Sequence, residues 1–380
     1  MTLGITLPKS WKLVPFGELR AHSAFGPRFS SKDYADDGDI ATLRTTDISD
    51  DGRISYETMP LAKLDGQFAK HFLKKGDLVI TRSGTCGIAA VFTGYKMPVL
   101  PGAFLIRFRL HPSGNPLYYR YFFNSPVGRG HVLSTATGAV QQNLNITNLE
   151  NLKVPFPPVA VQNRIVAALS AYDDLIENNS RRIAILEEMA QSLYREWFVN
   201  FRFPGHENAK FIDSPLGKIP EEWRVHHLGD VAKEIRRGVD PSQIDPNTPY
   251  FGLEHLPRRS ITLGQWGKAA DVQSAKLIFK RGEILFGKIR PYFHKVGVAH
   301  LDGVCSTDAI VIVPDSAAYF GPVVCCISSD DFVRHATQTS QGTKMPRANW
   351  DVLAKYLLPI PPEGLLKCFK SSGLPTSSHG

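Results

Sequence analysis

The stretch GAVQQNLNITNLENLKVPFPP, Gly138 to Pro158, recurs 204 residues later as GTKMPRANWDVLAKYLLPIPP, Gly342 to Pro362. With no gap allowed, Ser125/Ser329, His131/His335, Thr135/Thr339, Gly138/Gly342, Asn145/Asn349, Leu149/Leu353, Pro155/Pro359, Pro157/Pro361 and Pro158/Pro362 are identical. Over this span, common residues at ~5 to 7% each would supply roughly two matches by chance. The chain therefore carries an internal duplication. Upstream, FLKKGDLVI from Phe72 parallels IFKRGEILF from Ile278, and Trp11 with Gly17-Glu18 parallels Trp223 with Gly229-Asp230. The small changes of offset are loop insertions.

Each copy reads as α+β. Short β-rich runs such as DLVITRS from Asp77 and FLIRFRL from Phe104, punctuated by Gly and Pro, precede a helical stretch near Leu117 to Leu133. The expected partition is a first module over 1–158, a long helix over 159–200, a linker over 201–222, a second module over 223–362, and a shortened helical region with a structureless tail over 363–380.

Pro157 and Pro158 open the connector, and a polar, Gly-free run follows as far as Phe203-Pro204-Gly205. Ile165, Leu169, Tyr172, Ile176, Asn179, Ile183, Leu186, Ala190, Leu193 and Trp197 are spaced alternately four and three apart, which is a coiled-coil seam. Asn179 is its polar member, and either fixes register and partner or lies at a wet break. A helix over about 161–199 would span on the order of 55 to 60 Å, more than the ~34 Å turn of duplex DNA. Such a rod could hold two heads on one duplex as a ruler.

At 380 residues, with 43% apolar and 21% charged side chains, the chain is a globular protein of two domains plus connecting structure. It has no run of roughly 18 to 20 apolar residues and no leader pattern at the N-terminus, so no membrane association is expected and the cytoplasm is the expected location. Cys86, Cys305, Cys325, Cys326 and Cys368 are never spaced C-x-x-C; neither disulfides nor a zinc site is indicated, and they read as small buried residues. The net charge of +8 is unevenly placed. Residues 1–158 hold 18 Lys and Arg against 12 Asp and Glu, and 223–362 hold 17 against 13, whereas 159–222 hold 7 against 10. Two basic modules flank an acidic connector, the distribution expected of a nucleic-acid binder.

PFPPVAVQNRIV at the start of the helix, LEEMAQSLYREWFVNFRFPG at its end, SPLGKIPEEW before the second module, and GLEHL, FGKIRPYFHKV and CSTDAIVIV within it resemble the specificity subunits of type I restriction-modification systems. The likeness covers nearly the whole chain, to about residue 370. It implies two target-recognition domains, each reading one half of an interrupted duplex DNA sequence. It further implies long helices that set their separation and dock methyltransferase subunits, with a restriction and translocation subunit joining through the complex. The chain departs from the pattern after Pro362, where only EGLLKCFK precedes SSGLPTSSHG instead of a second long helix. The seam is thereby expected to lack its intrachain partner and to pair with another copy of the chain or with a methyltransferase helix.

Base readout calls for Arg, Lys, Gln or Asn on a firm frame, because these side chains match guanine or adenine edges bidentately in the major groove. In the first module the candidates are Arg44-Thr45-Thr46, Arg82-Ser83-Gly84-Thr85 and Gln141-Gln142-Asn143, the last lying before a short helix. The matching places in the second are Glu254-His255, Lys288-Ile289-Arg290 and the run from Lys344 to Arg347. Ser and Thr hydroxyls and exposed amides serve phosphates as readily as bases. Lys288 and Arg290 are expected on one face of a strand, in a groove contact or on an ordinary solvated edge. His255 reads equally as a core histidine partnered by Glu254.

No Walker-type loop, G-x-S-x-G elbow or His/Cys ligand cluster occurs, and the proline pairs, Phe-Pro-Pro and Ile-Pro-Pro, are not the Asn/Asp-Pro-Pro-aromatic motif of a methyltransferase. No catalytic residue, cofactor or metal is therefore expected, and the chain reads as a non-catalytic recognition subunit. The alternatives are a methyltransferase or nuclease with an unrecognised active site, and a repeat-built nucleic-acid-binding scaffold.

Overall fold

The duplication is visible in the strand order. In this computed structural model, which describes residues 7–136, 143–342 and 344–371, the chain forms two compact units that divide within the long helix, between Ile176 and Glu177.

The first unit is built on an antiparallel four-stranded sheet in which Leu105–Leu110 pairs with Arg20–Phe25 on one side and Leu78–Thr81 on the other, with Ala89–Val91 beyond. Leu78–Thr81 is buried throughout because both its faces are covered. Period-two alternation divides its side chains. Leu78 and Ile80, with Ile106 and Phe108 opposite, join the helix-side core of Phe16, Tyr119 and Phe123, whereas Val79 and Leu105 join Leu43, Ile88 and Val99. That second core is backed by a small sheet in which Ile40–Leu43 runs parallel to Val99–Pro101.

The second unit repeats the plan. Ala309–Pro314 pairs with Ala232–Glu234 and Ile284–Gly287, and Val296–Val298 lies beyond. Ile284, Phe286, Ile310 and Ile312 face one core, and Leu285, Ala309 and Val311 the other. Pro249–Phe251 runs parallel to Gly303–Ser306, and a two-stranded ribbon closes each unit, Lys12–Pro15 on Lys153–Phe156 and Arg224–His227 on Leu357–Ile360.

Three of the identical pairs of the repeat have a structural task performed twice. Ser125 caps the helix Pro126–Leu133 by accepting from the Gly128 amide (3.1 Å), and Ser329 caps Asp330–Gln338 by accepting from Phe332 (3.2 Å). Asn145 and Asn349 cap the next helices, accepting from Asn148 (2.7 Å) and Asp351 (2.9 Å). Leu149 and Leu353 are fully buried. The helical stretch expected near 117–133 is two helices, Pro116–Asn124 and Pro126–Leu133, because Ser125 caps the second and Pro126 has no amide to continue the first.

The connector is helical over Val159–Tyr194 and continues as a π-turn, Arg195–Val199. The proposed seam is buried only towards its ends. Ile165 packs on the first unit's core, and Ala190, Leu193 and Trp197 belong to the second unit's core. Between them Leu169, Tyr172 (68% exposed), Ile176 (56%), Ile183 and Leu186 are solvent-facing, as is Asn179. A heptad pattern states which residues share a face, not what covers it. At the helix ends polar side chains fasten each unit. In the first, buried Gln162 accepts from the Asn115 amide (2.7 Å) and donates to the carbonyls of Ser113 and Pro157. In the second, Glu187 accepts from Ser260, Ile261 and Thr262.

The helix Glu363–Ser371 is part of the second unit: Leu366 and Phe369 are buried, with Phe369 5.0 Å from the Phe198 ring and 5.6 Å from Trp197. Four cysteines are buried as expected; Cys368, on the outer face of this helix, is exposed.

Candidate nucleic-acid interface

In the first unit the strand Leu78–Thr81 ends at Arg82, whose amide donates to the Phe104 carbonyl and whose carbonyl accepts from Leu144, both at 2.9 Å. Ser83 and Asn143 form a single antiparallel bridge, and Arg82 Nε donates to Asn143 Oδ1 at 3.2 Å. The Arg82 guanidinium also lies 4.4 Å from the Phe25 ring centre. Two clusters sixty residues apart in sequence are thus laced together. Gln141 and Gln142, the other members of the second cluster, lie outside the described residues.

The second unit does the same with different side chains. The Lys288 amide donates to Asp308 and its carbonyl accepts from Ala348, again at 2.9 Å, and Ile289 bridges Arg347. Arg290 donates its amide to the Pro346 carbonyl at 2.7 Å. Lys344 and Arg347 are exposed, and Arg347 lies 3.6 Å from Asp308. Lys288, Arg290, Lys344 and Arg347 therefore come from two segments onto one edge of the unit, with Arg258 stacked 4.3 Å from the Phe293 ring beside them. Burial, then the neighbouring Arg258 charge, holds the Lys295 ammonium below its ordinary value.

The expected strand face of Lys288 and Arg290 is corrected here. The strand ends at Gly287, and Arg290 takes a left-handed backbone at φ 49°. Lys-x-Arg alternation therefore does not apply.

The third pair of clusters has other duties. Arg44 donates through Nε and Nη2 to buried Asp47 (3.0 and 2.8 Å) and to the Thr58 carbonyl (2.7 Å), and the Asp47 hydrogen bond raises its pKa above the ordinary guanidinium value. It braces the short turn Thr45–Asp47, on which Thr46 is exposed and Thr45 half-buried. His255 is half-buried and accepts the Gly252 amide through Nδ1 at 2.9 Å, while Glu254 stays 3.9 Å away; it holds its own turn. Sequence reasoning missed Phe25, Arg258, Tyr292 and Phe293, whose cation–π and ring contacts leave no periodic trace. Among the described residues no group of three or more His, Cys, Asp or Glu side chains is placed to hold a metal ion, and no helix is long and apolar enough to cross a membrane.

Residues 8–188 match the type I restriction modification DNA specificity domain. A type I restriction enzyme specificity subunit of Methanocaldococcus jannaschii is 25% identical over 389 aligned positions, covering 96% of this chain and 86% of that protein. Along nearly its whole length the chain is similar to type I specificity subunits. The EcoDI specificity subunit of Escherichia coli is 26% identical over 57% of this chain and 52% of its own length. A putative specificity subunit from M. jannaschii, MjaX, is 30% identical over 50% of this chain and 45% of its own. The type I S subunit of M. genitalium has the same fold, with a TM-score of 0.58 at 14% identity over 98% of this chain and 90% of that one.

Proposed function

We propose that this chain is the sequence-reading, non-catalytic subunit of a type I restriction-modification assembly, each unit reading one half of a bipartite duplex DNA target. The observation that carries the reading is the twin bridge. In each unit a strand end and a distant loop are hydrogen-bonded into one edge, and the residues held there are Arg82 and Asn143 in one case and Lys288, Arg290, Lys344 and Arg347 in the other. These are the residue types that meet guanine and adenine edges bidentately, and the frame beneath them is a sheet buried on both faces. Arg44, Thr45, Thr46, Ser83 and Thr85 serve phosphates beside that edge, and His255 supports it from its turn.

The two recognition domains are the modules over 1–158 and 223–362. The helix Val159–Tyr194 is the element that would set the spacing of the half-sites, and its solvent-facing apolar stripe is where methyltransferase subunits dock or a second copy associates. The restriction subunit joins through that assembly. Unpaired apolar residues of that size are costly to leave in water, at roughly 25 cal/mol per Å².

Competition binding tests the function. Duplex DNA carrying the target should displace a labelled duplex at concentrations where bulk RNA does not, with affinity falling steeply with salt as phosphate-bound counterions are released. Equal competition by RNA and by duplexes of unrelated sequence would establish a nonspecific nucleic-acid scaffold instead.

A further inference from the structure

The loop from Lys288 to Lys295 has a backbone that its own residues disfavour. Arg290 (φ 49°) and His294 (φ 54°) both lie in the left-handed region, where a Cβ crowds the neighbouring carbonyl. The strand pairings make them the repeat equivalents of Gly84 (φ 75°) and Gly87 (φ 81°) of the first unit, since Leu78–Thr81 and Ile284–Gly287 occupy equivalent registers. The same bend is made with glycine in one unit and with Arg and His in the other. Glycine is the residue that such a bend asks for, so each departure needs a compensating contact.

His294 has one. It is buried, its Nε2 donates to the Ser328 carbonyl at 2.9 Å, and its Nδ1 faces Asp330 at 3.5 Å; it latches the loop to the helix behind. Arg290 is held through its backbone, which donates to Pro346 at 2.7 Å and accepts from Phe293 at 2.9 Å, but its side chain has no such latch: its Nε is buried with no hydrogen-bond partner among the described residues, and its guanidinium carbon sits 5.9 Å from the Phe293 ring. Between the two strained positions Tyr292 stands 51% exposed, stacked edge-on against Phe293 at 4.9 Å, with Arg258 on that ring at 4.3 Å. Strain held in a rigid frame, a donor without a partner and an exposed aromatic at the tip are the marks of a segment shaped for a ligand.

We propose that Lys288–Lys295 is the specificity-determining finger of the second unit, in which Arg290 reads a guanine and Tyr292 makes apolar contact with the adjoining base edge, while the equivalent loop of the first unit is bent by glycine and leaves the reading there to Arg82 and Asn143. The proposal rests on the DNA-reading function above and assigns its chemistry: a planar guanidinium fork for guanine O6 and N7 in one half-site. Arg258, stacked on Phe293, is free of any base role and supplies positive charge towards the phosphates.

The test maps methylation genome-wide in cells carrying the chain with its methyltransferase partner, for the parent and for Arg290→Gly, Arg290→Lys and Tyr292→Ala, with thermal melting of each purified complex. Arg290→Gly should melt at or above the parent, because glycine suits the backbone, yet relax one guanine position of one half-site by about tenfold to a hundredfold. Arg290→Lys, which keeps the charge and the strain but not the fork, should relax the same position. Tyr292→Ala should weaken that half-site and leave the other intact. Unchanged discrimination in Arg290→Gly overturns the proposal, as does a lowered melting point with both half-sites lost, which would make Arg290 structural. If the parent itself marks no split motif, the DNA-reading function falls and this proposal with it.

Discussion

Leu144 donates its amide to the carbonyl of Arg82 at 2.9 Å, tying the start of the last short helix of the first unit to the end of a central strand. Ala348 and Lys288 repeat the bond at the same length in the second. Each candidate edge is therefore a joint between two segments, and a change at one joint is local to its unit.

Asn143, exposed on that joint, accepts from Arg82 Nε. Asn143→Ala should cost no more than about 1 kcal/mol of stability, the net worth of one such hydrogen bond. It should nevertheless impair recognition of a single half-site, because Arg82 loses its orienting partner. Denaturant titration alongside binding to half-site-mutated duplexes separates the two effects.

At the far end of each of these strands from its joint lies a buried carboxylate paired to arginine. Asp77, 1% exposed, accepts two bonds from Arg109 (2.8 and 2.7 Å), and Glu283 accepts two from Arg237 (2.8 and 2.7 Å). Each carboxylate raises its arginine's pKa above the ordinary value through that hydrogen bond. Removing one partner leaves a charge unpaired, so Asp77→Ala should lower the first unit's stability by about 3 kcal/mol, and Glu283→Ala the second's by a similar or smaller amount. A shift of the urea midpoint under 1 kcal/mol would show that the pair is dispensable.

Burial holds the pKa of His131 below its ordinary value of 6.5. The unfolded chain then binds more protons than the folded unit in the window below 6.5, so this contribution to stability is complete above pH 6.5 and declines as pH falls through the folded value. His131→Gln should flatten the dependence of the melting temperature on pH between 7 and 5 (about two units around this window). An unchanged slope would assign the acid sensitivity to other groups.

Burial pushes the Cys305, Cys325 and Cys326 thiols up to about 12 and raises Cys86 as well. Thiolates are the reactive form, so a thiol reagent at neutral pH should modify Cys368 rapidly and the other four only on unfolding. Fast modification of a second cysteine would contradict the packing of the core that holds it.

The repeat made a good part of this legible in the sequence. It paired Arg82–Thr85 with Lys288–Arg290 and Asn143 with Arg347, and the bridges Ser83–Asn143 and Ile289–Arg347 join those same clusters. What was illegible has physical reasons. Arg290 reads as a strand residue because alternation assumes extended backbone, whereas its backbone is left-handed at φ 49°. Arg44 looked like a base reader although its partner, Asp47, lies three residues on and could have been paired with it. The seam from Leu169 to Leu186 was correctly placed on a helix, but exposure depends on neighbours that periodicity does not name. Arg258, Phe293 and Tyr292 meet through stacking, which follows from the fold and not from spacing.

Genome-wide methylation mapping with the methyltransferase partner, comparing the parent chain with Arg82→Ala and Lys288→Ala, decides whether the two units read separate halves of one target. The parent should mark one split motif, relaxed in one half by the first substitution and in the other half by the second. A continuous motif, or both halves altered by either substitution, would contradict it.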